Sequence, residues 1–266
     1  MTFAVLDPKG IIASKELALL VSASLLMLIV AIAVFGLAFF FAWRYRASNK
    51  RAVYMPNWEH GALSELVWWA IPIEIVLILG ALTWTSTHEL DPYKPLEGGA
   101  PLQVQVVALP WKWLFIYPEQ GIGAVNTLYL PVGRPVEFTV TADAPMNAFW
   151  IPQLGGQIYA MTGMSTKLHL QADEVGAYEG GSSNYSGEGF ASMKFIATAV
   201  SEGDFATWVN DVRQNTRSLG KEEYHLLAKP STGDAPTTYS SVAQDLYDTI
   251  LMKYMAPMHL RETHTH

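Results

Sequence analysis

The sequence predicts a membrane protein of mixed α and β structure, with a two-helix transmembrane hairpin, a β-sandwich and a C-terminal helical segment. Two long apolar runs lie in the first third of the chain, and short alternating segments separated by turn residues follow them. Helical spacing returns after residue 200. The 266 residues leave room for one sizeable domain beside the membrane helices.

The two apolar runs predict transmembrane helices over about residues 17–43 and 66–87. The first run has 27 residues without a charge, and about 20 suffice to cross the hydrocarbon core of a bilayer. The second run carries one charge, Glu74, and contains Pro72, which membrane helices tolerate because neighbouring groups satisfy the freed carbonyl. A buried core helix is the alternative for either run. The expected hairpin spans residues 16–87, after a polar tail at 1–15.

The loop between the two runs predicts the orientation of the hairpin. It holds four basic residues against one acidic residue, Glu59. The basic residues are Arg44, Arg46, Lys50 and Arg51. A basic excess in a short loop places that loop in the cytoplasm, so both termini are expected on the outer side.

The part of the chain from His88 onward is acidic. It has 11 lysines and arginines and 19 aspartates and glutamates, a formal net charge of −8. A nucleic-acid binder would be basic, so no nucleic-acid partner is expected. Attraction of a basic electron carrier and simple solubility both remain open as explanations of the acidic surface.

The outer part divides into three segments. A linker rich in proline and glycine covers residues 88–100, and a strand region covers 101–199. Within the strand region, residues 102–106 and 167–171 alternate between apolar and polar, and a turn at 131–135 separates two further strands. Several short strands with regular turns are typical of a β-sandwich.

Residues 200–266 form the predicted helical extension. Ser201 and Asp204 make a weak capping box for a first helix. A second helix is expected over about 241–255, after a polar break at 230–238, and Pro257 would end it. Its apolar face would hold Val242, Leu246, Ile250 and Met255. The histidines at 259, 264 and 266 fit a solvated tail better than a metal site, because a closed site needs rigidly placed ligands.

A loop near residue 190 carries the most informative spacing. Ser182 and Ser186 are four residues apart, Phe190 follows after four more, and Met193 after another three. This spacing resembles the dinuclear copper loop Cys-x3-Cys-x3-His-x2-Met in subunit II of cytochrome c oxidase. Asn147 stands where a stretch resembling His-Ser-Phe-Trp-Ile-Pro has the other histidine, and Asn184 lies among the same altered positions.

These positions predict that the copper site has been lost. A mixed-valence copper pair needs soft thiolate ligands, and the chain contains no cysteine. We therefore expect no metal at the six positions. They are Asn147, Ser182, Asn184, Ser186, Phe190 and Met193.

Four further stretches carry a wider resemblance, from about residue 6 to residue 255. They are residues 45–50, 111–121, 149–161 and 185–190. On these stretches the chain resembles subunit II of haem-copper oxidases, and within that family the quinol oxidase branch of the bacterial cytochrome bo type. It departs from the family at the N-terminus, where many such subunits carry a processed lipoprotein cysteine.

The resemblance implies a proton-pumping complex in the bacterial inner membrane that oxidises ubiquinol and reduces oxygen to water. Haems, one copper and the quinol sites would lie mainly on subunit I, so this chain would bind no cofactor. The chain would be a non-redox partner of subunit I and of smaller subunits, with periplasmic termini, a cupredoxin-like Greek-key sandwich and no contact with cytochrome c. A copper-depleted cytochrome c oxidase subunit II and a stand-alone membrane-anchored binding module remain alternatives.

Glu65 is the candidate functional residue of the hairpin. It lies at the cytoplasmic start of the second helix, where the helix dipole favours a carboxylate. The resemblance implies that this carboxylate begins a proton route leading to a lysine in subunit I; an ordinary helix-start carboxylate is the alternative. Glu74 lies about 13 Å deeper and roughly half a turn round, and it need not belong to that route.

Trp111, Trp113 and Tyr117 form an aromatic group in the strand region. In the copper-binding branch, the equivalent tryptophan-rich stretch passes electrons to copper. Since no copper is expected here, we interpret the group as core and interface packing.

Overall fold

The computed structural model describes residues 4–53 and 61–255. The chain forms two compact units: residues 17–91, and a second unit that combines the N-terminal residues up to 16 with residues 92 onward. Glu59 and the residues after 255 lie outside the described residues. The expectations for Pro257 and the terminal histidines fall among them.

Two long apolar helices make up most of the first unit. Helix α1 covers Ile11–Arg44 and helix α2 covers Ala62–Glu89, and both are long and apolar enough to cross a membrane. Pro72 lies inside α2, as expected. Both helices extend beyond their predicted bounds, α1 by six residues at its start. The division of the chain at residues 15, 87, 100 and 199 stays a prediction.

The extra length of α1 comes from contacts that the apolar run does not contain. Ile12 packs against the sandwich core, and the amide of Ala13 donates to the carbonyl of Leu154 across 3.2 Å. Before the helix, the amide of Lys9 donates to the carbonyl of Gln153 across 2.7 Å. The tail expected at residues 1–15 is therefore partly helical and bound to the β domain.

Gly10 makes this close approach possible. A Cβ atom at this position would lie 2.3 Å from the carbonyl oxygen of Gln171 and 3.0 Å from that of Leu154. Contacts this short do not occur at real Cβ atoms, so a larger residue would have to displace backbone. The glycine at position 10 lets the chain run directly over two backbone carbonyls.

Ten strands form the two sheets of the sandwich together with one strand from the C-terminal segment. They are β1 Leu102–Leu109, β2 Lys112–Tyr117, β3 Ile122–Val125, β4 Thr127–Pro131, β5 Val136–Ala142, β6 Asn147–Trp150, β7 Ile158–Ala160, β8 Thr166–Leu170, β9 Gly176–Ser182 and β10 Lys194–Val200. Strand β1 pairs with β2 in antiparallel and with β5 in parallel orientation, and β10 pairs with β9 and β4 likewise. These crossovers give the expected Greek-key sandwich.

Aromatic rings fill the space between the sheets. Phe149 of β6 and Phe195 of β10 stack with ring centroids 5.4 Å apart. Phe115 of β2 meets both of them edge to face. Such pairs add to the free energy gained by removing the rings from water.

The C-terminal segment contains more structure than predicted. Its elements are α3 Glu202–Arg213, β11 Ser218–Leu219, α4 Lys221–Leu227, β12 Thr237–Tyr239, β13 Ser241–Val242 and α5 Leu246–Met255. The Ser201 hydroxyl accepts from the amide of Asp204 and caps α3, as the sequence indicated. Strand β12 extends the sheet order β12-β3-β2-β1-β5-β8, so part of the expected polar break is a strand.

The last helix begins later than predicted and buries less of its predicted apolar face. It begins at Leu246 because Ser241 and Val242 pair with β11 instead. Leu246 and Ile250 are buried as predicted, whereas Met255 is 58% exposed.

Candidate functional site

The altered copper positions lie where strands β6 and β9 meet. Phe149 of β6 pairs with Ser182 at the end of β9, and Asn147 lies at the start of β6. A loop then leads through a short 3-10 helix, Phe190–Ser192, to Met193 and β10. The sheet register therefore brings Asn147 and Ser182 together although they are far apart in sequence.

Ser182 and Asn147 form the centre of a hydrogen-bond network. The Ser182 hydroxyl lies 3.0 Å from Oδ1 of Asn147 and 3.0 Å from the carbonyl of Asn184, and its oxygen accepts from the amide of Ala148 across 3.3 Å. The amide group of Asn147 donates to the carbonyl of Pro145 across 2.7 Å. Asn147 is only 1% exposed, so both polar ends of its buried side chain are satisfied within the protein.

Asn184 and Ser186 occupy the loop after β9 in different ways. The Asn184 side chain donates to the carbonyl of Met146 across 2.9 Å and ties the loop to the residue before β6. The Ser186 hydroxyl is buried and has no hydrogen-bond partner within residues 4–53 and 61–255. The two serines thus do not form one polar pocket: Ser182 belongs to the network and Ser186 does not.

Phe190 and Met193 provide the apolar side of the loop. Phe190 is partly buried and meets the ring of Tyr185 edge to face, with centroids 5.5 Å apart. Met193 is 1% exposed and belongs to the sandwich core.

This donor set does not fit a dinuclear copper centre. Its polar side-chain groups are two hydroxyls and two carboxamides, and its one soft atom is the thioether of Met193. Copper pairs need thiolates, and Phe190 offers no donor atom. Breaking the bond between Ser182 and Asn147 would expose only oxygen and amide nitrogen to a metal.

Trp111 covers the loop from outside. Its backbone has φ 63°, in the left-handed region that a bulky residue rarely adopts. Its indole Nε1 donates to the carbonyl of Ser186 across 3.1 Å, and a Cβ atom at Gly189 would lie 2.3 Å from the ring. The turn at Trp111 and the glycine at 189 together allow the indole to pack against the altered loop.

The other two aromatic residues of this group lie in the core. Trp113 and Tyr117 are fully buried; Trp113 contacts Phe149 and Phe195, and Tyr117 contacts Trp208. The predicted packing role agrees with these contacts, although a role in electron transfer is not tested by them.

Comparison with known proteins places this site in a family. The COX Aromatic Rich Motif family matches residues 213–258. Over 260 residues the chain is 52% identical to cytochrome bo(3) ubiquinol oxidase subunit 2 of Pseudomonas putida, covering 97% of this chain and 83% of that protein. The chain belongs to the ubiquinol oxidase subunit 2 family. The ubiquinol oxidase subunit 2 of Acetobacter aceti is 48% identical and covers 94% of this chain and 82% of its own length.

Solved structures similar to this subunit 2 chain include the periplasmic domain of subunit II of cytochrome oxidase from Bradyrhizobium japonicum. It is 23% identical, covers 44% of this chain and 96% of its own length, and has a TM-score of 0.42. A haem-copper terminal oxidase dimer gives 14% identity over 52% of this chain and 99% of that one, also with a TM-score of 0.42.

The aromatic-rich segment of this family member is fastened to the sandwich through Asp143, a residue that no sequence motif indicated. The carboxylate of Asp143 is buried and accepts from Tyr224 of α4 across 2.7 Å and from Lys253 of α5 across 2.6 Å. Tyr254 donates to the same oxygen as Lys253. One carboxylate, directly after β5, therefore binds both α4 and α5.

The charge of Asp143 is stabilised by its donors. Burial alone would raise its pKa, but the hydrogen bonds from Lys253, Tyr254 and Tyr224 outweigh burial and lower the pKa below its ordinary value. Burial and the bond to Asp143 raise the pKa of Tyr224. The pattern of acidic, aromatic and basic residues is visible in the sequence, but the long separation between positions 143 and 224–254 hides their pairing.

A second buried charge fastens the loop between α4 and β12. The Nζ atom of Lys112 lies 3.1 Å from the carboxylate of Asp234 and donates to the carbonyl of Lys229 across 3.1 Å. Lys112 is only 3% exposed, and a buried charge persists only when paired and hydrogen-bonded. No local sequence pattern indicates a role for this lysine, which lies beside Trp111.

Glu65 and Glu74 both lie on helix α2. Glu65 is in its first turn, and its amide donates to the carbonyl of Gly61 across 2.9 Å. Glu74 follows nine residues later, two residues after Pro72. Both side chains lie on the surface of α2 in the isolated chain, and the proton-uptake role of Glu65 stays a prediction.

Proposed function

We propose that this chain is the second subunit of a membrane-bound oxidase that oxidises ubiquinol, reduces oxygen to water and pumps protons. The relatives with 48–52% identity over 93–97% of the chain are named ubiquinol oxidase subunit 2, and their names supply the quinol substrate. Two helices with the length and composition of membrane spans fit an integral membrane subunit.

In this proposal the chain transfers no electrons. The observation that carries it is the hydrogen bond between Ser182 and Asn147, which joins two positions where copper-binding relatives would present a thiolate and an imidazole. With hydroxyl, amide and phenyl groups at the altered positions, electrons have no metal to enter through. They would pass from ubiquinol directly to haems and one copper on subunit I.

The chain would instead serve assembly and proton uptake. Helices α1 and α2 would pack against subunit I in the lipid bilayer, with smaller subunits nearby. The basic loop after α1 would face the cytoplasm, and the sandwich and both termini would lie in the periplasm. Glu65, in the first turn of α2, would then stand at the cytoplasmic surface and accept protons for the route into subunit I.

The electron donor tests this function. The assembled complex would be purified, and oxygen uptake driven by a reduced ubiquinol analogue would be compared with uptake driven by reduced cytochrome c. We expect activity with quinol alone and one copper per complex by elemental analysis. Activity with cytochrome c, or additional copper bound to this chain, would overturn the proposal.

The two alternatives predict different results in the same preparation. A copper-depleted cytochrome c oxidase subunit would leave the complex without activity on quinol. A stand-alone binding module would purify from membranes without a haem-containing partner. Because Glu74 would be costly in a solitary pair of helices unless neutral or paired, the stand-alone form is the less favourable of the two.

A further inference from the structure

His169 is a buried histidine that the proposed function does not use. It lies on the edge strand β8 and is 4% exposed. Its backbone amide and its ring Nδ1 both approach one atom, the carbonyl oxygen of Pro92, at 3.2 Å and 2.9 Å. Pro92 begins the connecting segment, residues 92–101, which leads from the end of α2 towards β1.

This contact fixes the proton on the imidazole ring. A carbonyl oxygen can only accept, so Nδ1 must carry the proton and donate it to Pro92. In a neutral ring, Nε2 is then an unprotonated acceptor. It is buried, and within residues 4–53 and 61–255 it has no hydrogen-bond partner.

The group that faces Nε2 is the carboxylate of Glu137 on β5. Its Oε2 atom lies 3.6 Å from Nε2, so two acceptors face each other with no proton between them. An unsatisfied buried acceptor costs free energy. Adding a proton to Nε2 converts this unfavourable contact into an ion pair between imidazolium and carboxylate.

The other charged groups nearby keep Glu137 anionic. The hydrogen bond from Lys167, at 2.6 Å from Oε1, is the main cause that lowers the pKa of Glu137, against the opposing effect of burial. From β1 only the neutral Gln103 approaches, and it donates to Oε2 across 3.1 Å. The ionisable groups that the neighbouring chain adds around Pro92 are Asp91, Tyr93, Lys94 and Glu97.

We propose that His169 and Glu137 form a proton-binding pair that tightens the attachment of the connecting segment to β8 as the surrounding pH falls. Histidine changes charge between about pH 5 and 8, a range in which Glu137 stays ionised. Once protonated, the ring bonds Glu137 through Nε2, and its bond to Pro92 becomes charge-assisted and stronger. Protonation of Nε2 thus strengthens the contact of the ring with Glu137 and its bond to Pro92.

The amide of His169 reports on this attachment. It donates to Pro92, so it exchanges with solvent only when the connecting segment opens. Hydrogen exchange of the full chain in lipid nanodiscs would be followed by mass spectrometry at pH 5.5 and 7.5, with intrinsic rates corrected for pH. We expect protection of the His169 amide, read in peptides that span β8, to rise about tenfold at the lower pH, as for one added charge-assisted hydrogen bond.

Two variants separate the proton-binding pair from a purely structural role. His169→Asn keeps a donor near the position of Nδ1 but removes Nε2, and Glu137→Gln removes the charge that faces it. Both should keep protection at pH 7.5 within about twofold of the unaltered chain and lose its rise at pH 5.5. Equal protection at the two pH values in the unaltered chain, or an undiminished rise in both variants, would overturn the proposal.

Discussion

The hydroxyl of Ser182 lies 3.0 Å from Oδ1 of Asn147 and bonds it across the junction of β9 and β6. The resemblance described above implies metal ligands at these two positions in copper-binding relatives. Here they face each other, and the buried amide of Asn147 is completed by the carbonyl of Pro145. At these two positions the structure therefore shows hydrogen bonds within the protein.

Replacing Ser182 by alanine should destabilise the β domain by about 1–3 kcal/mol, because Oδ1 of the buried Asn147 is left without its donor. The thermal midpoint of the purified chain should fall by about 2–12 °C for a domain of this size. Ser192→Ala is the matched control, since the Ser192 hydroxyl bonds only the Gly189 carbonyl and the residue is exposed. Equal midpoints for the two variants would show that the network contributes little.

The Asp143 cluster predicts a dependence of stability on pH. Because the folded pKa of Asp143 lies below its unfolded value, its contribution is fully present above about pH 4 and is lost as pH falls through the folded value. Asp143→Asn should therefore cost about 1–3 kcal/mol at pH 7, because three donors lose their charged acceptor, and progressively less below pH 4.

Unfolding curves of the unaltered chain and of Asp143→Asn between pH 3 and pH 7 check this expectation. Asp211→Asn, at an exposed position on α3, is the control and should change stability by less than about 0.5 kcal/mol. A difference between Asp143→Asn and the unaltered chain that stays constant over the whole pH range would contradict the assigned role of the charge.

Gly10→Ala should loosen the N-terminal segment. The new methyl group would meet the Gln171 carbonyl at 2.3 Å, and relieving the clash should cost about 1–3 kcal/mol. Limited proteolysis should then cut near residues 7–12 faster than in the unaltered chain. Gly220→Ala is the control, since its new methyl group would have no atom within 4 Å, and it should leave cutting near residues 7–12 unchanged. Similar cutting rates for the two variants would refute the packing argument.

The sequence predicted the helices and strands best where a local pattern decides the structure. The apolar runs, the alternating strands and the Ser201 cap depend on neighbours in sequence, and the structure contains all of them. Helix α1 began earlier than expected because Gly10 and Ile12 are ordered by the sandwich loop at 153–156, a contact that no local pattern reveals. Strand β12 was not predicted because its three residues pair with β3, which lies more than 100 residues earlier in the chain.

The sequence named the positions of the candidate site but not their connections. The spacing of Ser182, Ser186 and Phe190 gave the altered positions, and the sheet register then joined Ser182 to Asn147. Ser186 belongs to the same spacing, but its buried hydroxyl has no hydrogen-bond partner within residues 4–53 and 61–255. Asp143 and Lys112 were missed because their partners are more than 80 residues away along the chain.

Glu65→Ala tests the proton-uptake role of helix α2. If Glu65 accepts protons for subunit I, removing its carboxylate should lower quinol-driven oxygen uptake and proton uptake of the assembled complex by about tenfold or more. A fall of this size is expected when water only partly replaces a proton-transferring side chain. Glu65→Asp keeps a carboxylate in the first helical turn and should retain most of the activity. Haem content must be equal in both preparations, so that assembly is separated from turnover. Unchanged rates in Glu65→Ala would show that this carboxylate is an ordinary helix-start residue stabilised by the dipole.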